Sequence, residues 1–254
     1  MSSPTFNTKH QQPHANDWAA GLNSRKTVTL SQSRRKATAA IQARRSRIER
    51  ATAHSPAEIL LKRTLDVVVS SAALVGLAPL LAMIAALVRL DSSGPALYAG
   101  LRAGLNAKPF PCYKFRTMVR DADELKNYLR KRNQRRGPCF KIANDPRITH
   151  VGRFLRRYSL DELPQFWNVL KGDMSLVGPR PHPLDDFAAY DVEHLPRLDV
   201  TPGITGLWQV TARRDPSFQK SMKLDLKYIR TWSFGMDLRI LFKTFAVVLN
   251  GSGD

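Results

Sequence analysis

Charged positions are missing from one long stretch of the chain. From Val67 to Val88, 22 consecutive residues carry no charge, bracketed by Lys62, Arg63 and Asp66 before and Arg89 and Asp91 after. That length matches a bilayer-scale helix, and it is more apolar surface than a soluble domain of this size usually hides in a core helix. Pro79 stands near the middle with Gly76 just upstream; a proline there removes a hydrogen bond and crowds the preceding turn, which predicts a kink. Each half would span roughly 16 Å, about the midplane of a ~30 Å hydrocarbon core. Basic residues on both flanks disfavour placing either one outside. The pattern predicts a broken, re-entrant helix over 58–91, in preference to a single straight span.

The flanking stretches differ in kind. Residues 1–57 are rich in Ser, Thr, Ala, Gln and Arg, with too few large apolar side chains to offset the entropy of ordering, and read as a disordered basic arm. Its ten Lys or Arg, among them Arg34, Arg35, Lys36, Arg44, Arg45 and Arg47, face Asp17 and Glu49, with Glu58 just past its end. Ser33 to Arg50 is expected to turn helical on an anionic lipid surface. No cleavable signal pattern precedes the long apolar run, which therefore reads as a retained anchor. Residues 92–254 read as a mixed, helix-rich α+β domain. Short strands are expected around Ala96–Tyr98 and Phe110–Phe115, and a charged helix over Asp121–Arg136. Two further helices are expected, Pro164–Lys171 ended by Gly172, and Ser217–Arg230. Thr231–Leu249 is amphipathic, and either lies flat in a membrane interface or packs into the core.

Charge narrows the partners. Forty Lys or Arg against 21 Asp or Glu give a formal charge of +19, which points to nucleic acid, anionic lipid or phosphorylated substrates. Cys112 and Cys139 form no C-x-x-C pair and no zinc spacing, so two reduced thiols are expected. No Walker loop, G-x-G-x-x-G or H-E-x-x-H is present, and the six histidines are scattered.

The densest chemical signal runs from Arg153 to Gln165, where Asp161 and Glu162 lie among Arg153, Arg156 and Arg157. Adjacent carboxylates among arginines suit anionic substrates and a divalent metal. Ser159 and Glu162 have capping-box spacing, while Pro164 fits the first turn of a helix starting slightly later; both place Asp161 near a helix N-terminus. There the helix dipole and Arg156 would keep Asp161 ionised, and an ionised carboxylate is a competent nucleophile toward phosphorus. A first-turn cap with a surface ion pair is the alternative. In Gly178-Pro179-Arg180-Pro181, two prolines frame Arg180 stiffly, for phosphate contact or as loop punctuation. Lys114, Arg116 and the Arg102-x-Gly104 pair add cations close after the apolar run.

Taken together, several motifs resemble one family. They are Lys62-Arg63-Thr-Leu-Asp66, the Pro-broken run, Tyr113-Lys114-Phe115-Arg116-Thr117-Met118, Asp145-Pro146-Arg147-Ile148-Thr149, Ser159-Leu-Asp161-Glu162-Leu-Pro164-Gln165, Gly178-Pro179-Arg180-Pro181 and Pro202-Gly203-Ile204-Thr205-Gly206. Their order over about residues 59–250 is similar to that of the bacterial sugar transferases, the monotopic polyprenyl-phosphate phosphoglycosyl transferases, in a short exopolysaccharide-type form. Ala78, where many members have Ser, and Ala212, where Gly often stands, depart from the pattern.

The resemblance implies a re-entrant helix in the bacterial inner membrane, with the active site of 92–254 facing the cytoplasm and interfacial amphipathic helices beside it. It implies Mg²⁺-dependent transfer of hexose-1-phosphate from a UDP-hexose, glucose or galactose foremost, to undecaprenyl phosphate with release of UMP. By motif, Asp161 matches the nucleophile and Glu162 its neighbouring Mg²⁺ ligand, so the metal set is Glu162 with Asp161. Arg180, Arg156 and Lys114 match phosphate contacts, with Pro179 and Pro181 framing Arg180; Arg116 and Asp225 are further candidates. Anionic lipids are expected partners, nucleic acid is not, and a homo-oligomer stays open. A membrane-tethered nucleic-acid binder would not explain the acidic pair or Pro-Arg-Pro, and a scaffold for other polysaccharide enzymes, suggested by the arm and the apolar segment, would be favoured by normal polymer production after Asp161→Asn.

Overall fold

The structure, a computed structural model, describes residues 55–129, 133, 142, 144–187, 190–213, 215 and 217–251. The arm up to residue 54, most of the predicted helix beyond Leu129 and Cys139 lie outside the described residues. The fold is helix-rich α+β, with two small sheets.

Helix α1, Pro56–Gly76, opens with a capping box between Ser55 and Glu58, so it begins inside the segment read as arm. It breaks at Leu77, and α2, Ala78–Asp91, leaves at 63° with Pro79 in its first turn, as the missing proline N–H requires. No single described helix is long and apolar enough to cross a membrane; the bent pair is, by length and composition.

The first half of α1 is bound to the domain by three charged residues. Lys62 Nζ donates to Asp237 Oδ2 at 2.5 Å and to the Val177 carbonyl at 2.8 Å. Arg63 donates to the Val169 and Leu170 carbonyls, which closes the end of a later helix as a basic side chain can. Asp66 accepts from Leu176 N–H at 2.8 Å and Ser175 Oγ at 3.1 Å. Asp237, 1% exposed, also accepts from Tyr228 and Trp232, so its buried charge is fully paired.

Strands β1, Leu97–Ala103, and β2, Pro109–Phe115, form an antiparallel hairpin, with β1 longer than expected. Helix α3 covers Ala122–Leu129 and α4 covers His150–Arg157, capped by the Thr149 hydroxyl. A buried Asp145–Arg147 pair, 2.6 Å apart, ties the loop before α4 to the Ala122 carbonyl. Helix α5, Gln165–Lys171, ends at Gly172 with φ 88°, where glycine carries no Cβ penalty. Strands β3, Ser175–Val177, and β4, Gly203–Thr205, pair in parallel. Between them lie α6, Leu184–Phe187, and a 3-10 helix, Val192–Asp199.

Helices α7, Leu207–Thr211, α8, Phe218–Arg230, and α9, Phe234–Leu249, complete the domain. Ser217 caps α8, as its predicted start requires. The core gathers Phe110, Cys112, Val169, Met174, Leu176, Val177, Tyr228 and Ile240, with Leu65 and Val69 of α1 against it. A second cluster packs Ile84 and Val88 of α2 on Phe115 and Leu155. Helix α9 has two sides: Asp237 and Ile240 are buried, whereas Phe242, Phe245 and Leu249 are 75%, 69% and 80% exposed. Core packing therefore holds for one face only.

The parallel pair explains two glycine motifs. A Cβ on Gly203 would stand 2.0 Å from Gly178 N, and one on Gly178 would stand 2.6 Å from the Thr201 carbonyl. Gly203→Ala is expected to lower stability by about 1–3 kcal/mol through overpacking, read as a lower melting temperature of the detergent-solubilised protein; an unchanged melt would mean that the two backbones are not in such close contact.

Candidate active site

Asp161 and Glu162 share one 3-10 turn, Leu160–Glu162, between α4 and α5. Ser159 enters it at φ 56°, a left-handed conformation that costs a residue with a Cβ and is common at functional sites. The predicted capping box does not form, because in that conformation the Ser159 hydroxyl makes no cap hydrogen bond; it accepts from Arg213 at 3.1 Å instead. Helix α5 starts at Gln165 with Pro164 as its N-cap, so Asp161 lies just ahead of it.

Glu162 is held by two cations. Lys114 Nζ donates to Oε1 at 2.6 Å, Arg180 Nη2 to the same oxygen at 2.7 Å, and Arg180 Nη1 to Oε2 at 3.4 Å. Burial raises its pKa, but Arg180 and Lys114 outweigh burial and hold the carboxyl well below its usual range. Glu162 in turn pushes the Arg180 guanidinium up.

Asp161 is 7% exposed, and among the described residues its carboxylate accepts no hydrogen bond. Burial pushes its pKa up; Lys114 opposes this, Glu162 adds to it, and Arg156 and Arg180 pull it down. Desolvation thus exceeds the pull of Arg156 and Arg180 on this carboxyl. Arg156 is close enough to act on Asp161 while its Nε donates to the Thr117 hydroxyl at 2.9 Å.

Arg180 follows β3, and its loop is fixed on both sides. Gly203 N–H donates to the Pro179 carbonyl, and Arg102 Nη1 donates to the Pro181 carbonyl at 3.3 Å. Arg197 Nη2 donates to the Arg180 carbonyl at 2.7 Å. Arg197 and Asp225 form a buried ion pair, 2.7 Å apart. Asp225 therefore stands behind the site: it neutralises Arg197, which holds the Arg180 backbone. Sequence reasoning missed Arg197; its one signal was an arginine set in Leu195-Pro196-Arg197-Leu198.

Arg116 does not join the cluster. Its guanidinium donates to the carbonyls of Val88, Ser92 and Ser93 and closes the C-terminal end of α2. Successive strand residues point to opposite faces, so Lys114 and Arg116 share a side, but β2 ends at Phe115 and the alternation does not carry Arg116 into the site. A small cleft opens beside Pro179, Arg180 and Pro181, lined also by Ala103, Gly104 and Pro202.

The donor set fits a hard divalent cation. Asp161 offers a carboxylate with no hydrogen bond, and Glu162 Oε2 has only one long contact, so both keep lone pairs for an ion that prefers carboxylate, phosphate and water oxygens. The arrangement as a whole, a buried carboxylate beside a second one neutralised by Lys114 and Arg180, defines an anion-handling site of the group-transfer type.

The sequence profile described as "Bacterial sugar transferase" matches residues 57–251, and the chain belongs to that family. It is 45% identical over 201 residues to the galactosyl transferase CpsE of Streptococcus agalactiae, covering 77% of this chain and 43% of that protein. It is 48% identical over 199 residues to the undecaprenyl-phosphate galactose phosphotransferase of Salmonella typhimurium, covering 76% and 41%. The exopolysaccharide production protein ExoY of Rhizobium meliloti is 40% identical over 198 residues, covering 76% and 88%. The chain thus spans less than half the length of the first two relatives.

The raised pKa of Asp161 carries a stability consequence. A carboxyl that binds its proton more tightly when folded loses stability as pH rises from the unfolded value through the folded one. Asp161→Asn is therefore expected to melt above the native protein at neutral pH, the gain vanishing below about pH 4. A variant that melts lower at pH 7 would contradict this.

Proposed function

We propose that the chain transfers hexose-1-phosphate from a UDP-hexose, glucose or galactose, to undecaprenyl phosphate with release of UMP, and so begins assembly of an exopolysaccharide, capsule or O-antigen repeat. The observation that carries this is the buried, unpartnered Asp161 carboxylate beside a Glu162 fixed by Lys114 and Arg180, in a family whose relatives include named undecaprenyl-phosphate galactose and glucose phosphotransferases.

In this reading an Asp161 oxygen attacks the β-phosphorus of the donor. The bond from that phosphorus to the bridging oxygen breaks, and UMP leaves. An oxygen of undecaprenyl phosphate then attacks the phosphosugar held on Asp161 and restores the carboxylate. Two displacements of this kind are covalent catalysis in ping-pong form. Arg180, Arg156 and Lys114 stabilise charge on the phosphoryl oxygens, while Pro179 and Pro181 keep the Arg180 loop extended. Glu162, with Asp161 beside it, would hold Mg²⁺, which when bound would supply charge neutralisation for the diphosphate and its leaving group.

The acceptor lipid sets the location. We read α1 and α2 as a re-entrant membrane helix of the bacterial inner membrane, with the site on the cytoplasmic side. The 63° bend and the outward apolar residues support this: Val75 is 77%, Leu90 84% and Phe242 75% exposed, more than a water-facing surface usually carries. Anionic lipids would meet the basic arm.

UMP release by purified, detergent-solubilised full chain is expected to need undecaprenyl phosphate, Mg²⁺ and UDP-glucose or UDP-galactose. EDTA should stop it, and Asp161→Asn should lower it by more than about a thousandfold. Turnover by Asp161→Asn near the native rate would remove Asp161 from the mechanism. For topology, a single cysteine placed in the arm is expected to resist an impermeant maleimide added to intact spheroplasts and to react after lysis; labelling before lysis would place the arm outside.

A further inference from the structure

The Asp161 carboxylate accepts no hydrogen bond among the described residues, so its position is set by the backbone that carries it. That backbone turns on Ser159. Ser159 N–H donates to the Arg156 carbonyl at 3.1 Å, and the Ser159 carbonyl accepts from Glu162 N–H at 3.2 Å, so one residue closes both the end of α4 and the acidic turn. It does so at φ 56° and ψ 21°, a left-handed conformation that a residue with a Cβ keeps only where its surroundings hold it.

The contact that holds the Ser159 side chain comes from 54 residues away, where Arg213 Nη2 donates to the hydroxyl at 3.1 Å. Arg213 stands just past the end of α7 at Thr211, and α7 is a firm platform. Trp208 and Gln209 are buried and Val210 packs against the main core. A Cβ on Gly206, at the start of α7, would stand 2.3 Å from the Gly178 carbonyl, so the stretch leading to Arg213 and the one leading to Arg180 are in backbone contact. Among the described residues Arg213 makes no ion pair and no second hydrogen bond. No carboxylate accounts for where its guanidinium points; its one directed contact is a charge-assisted bond onto the residue that enters the acidic turn.

We propose that Arg213 is a positioning residue for the transfer: through the Ser159 hydroxyl it holds the left-handed entry to the acidic turn, and so sets the direction from which the Asp161 carboxylate meets phosphorus. The role rests on the nucleotide-sugar reading above for the reaction being served. Lys114 and Arg180 fix Glu162 by its side chain, whereas Arg213 fixes the backbone that carries its neighbour. Attack in line with a leaving group tolerates little misplacement of the nucleophile, so loss of this anchor slows the chemical step and leaves donor binding in place.

The test is steady-state release of nucleoside monophosphate by the detergent-solubilised full chain with undecaprenyl phosphate, Mg²⁺ and a panel of nucleoside-diphosphate hexoses. The native protein is compared with Arg213→Gln, Ser159→Ala and the double variant, and rates are taken per folded molecule from the melting curve of each. Either single change should lower kcat about tenfold to a hundredfold and leave the donor KM within about twofold. The double variant should be no more than about twofold slower than the singles, because both remove the same contact. If Arg213→Gln does not fold, Ser159→Ala decides: a lower kcat at native KM supports the role and a native kcat overturns it. A lower melting temperature with native kcat would make Arg213 structural and overturn the proposal, as would a raised KM at native kcat, which marks a substrate contact, or losses that multiply in the double variant. Should the native protein turn over only a donor other than a UDP-hexose, the same loss of kcat on that donor would sustain Arg213 and refute the UDP-hexose reading. A native protein that turns over no donor has no transfer to position, and overturns both.

Discussion

The Glu162 carboxylate joins three stretches that are far apart in sequence: the turn of the acidic pair, the hairpin through Lys114 and the loop of Arg180. Removing three charged groups from water costs several kcal/mol each, and only close pairing offsets it. Losing Glu162 would leave two cations side by side in a mostly buried space. The same arrangement divides the labour of two adjacent carboxylates, since Glu162 takes the cations' hydrogen bonds and Asp161, one residue away, receives only their field. Two adjacent carboxylates are thereby placed in different settings, one fixed by cations and one that accepts no hydrogen bond among the described residues.

Behind this first layer stands a second. Arg197 reaches the Arg180 backbone and is itself balanced by Asp225. Closely approaching glycines hold the strand that leads into the loop. The direction of the Arg180 guanidinium depends on both, because a loop framed by prolines moves as a unit.

How much of this could be read from the sequence depended on the range of the interaction. The break at Leu77, the stop at Gly172 and the cap at Ser217 were legible because local backbone chemistry decides each of them. The acidic pair, Lys114 and Arg180 were legible as residue types in a familiar order, but not as a contact. Ser159 was misread because capping spacing cannot reveal a left-handed φ set by its neighbours. Arg116 was misread because its partners, the last carbonyls of α2, lie more than twenty residues away. The Lys62-Arg63-Thr-Leu-Asp66 motif gave resemblance without reason; its reason is three long-range bonds to β3, α5 and α9.

The segment Lys114-Phe115-Arg116-Thr117 has a mechanical meaning. Lys114 grips Glu162, Phe115 packs with Ile84 and Val88, Arg116 holds the end of α2, and Thr117 accepts from Arg156. Four consecutive residues thus act as a short rod between a helix terminus and a charged cluster. A shift of α2 along its axis would pull on the Lys114 ammonium through two peptide units, too short a length of extended backbone to absorb the strain. The spacing of charge around Asp161 is therefore tied to the position of that helix along its own axis.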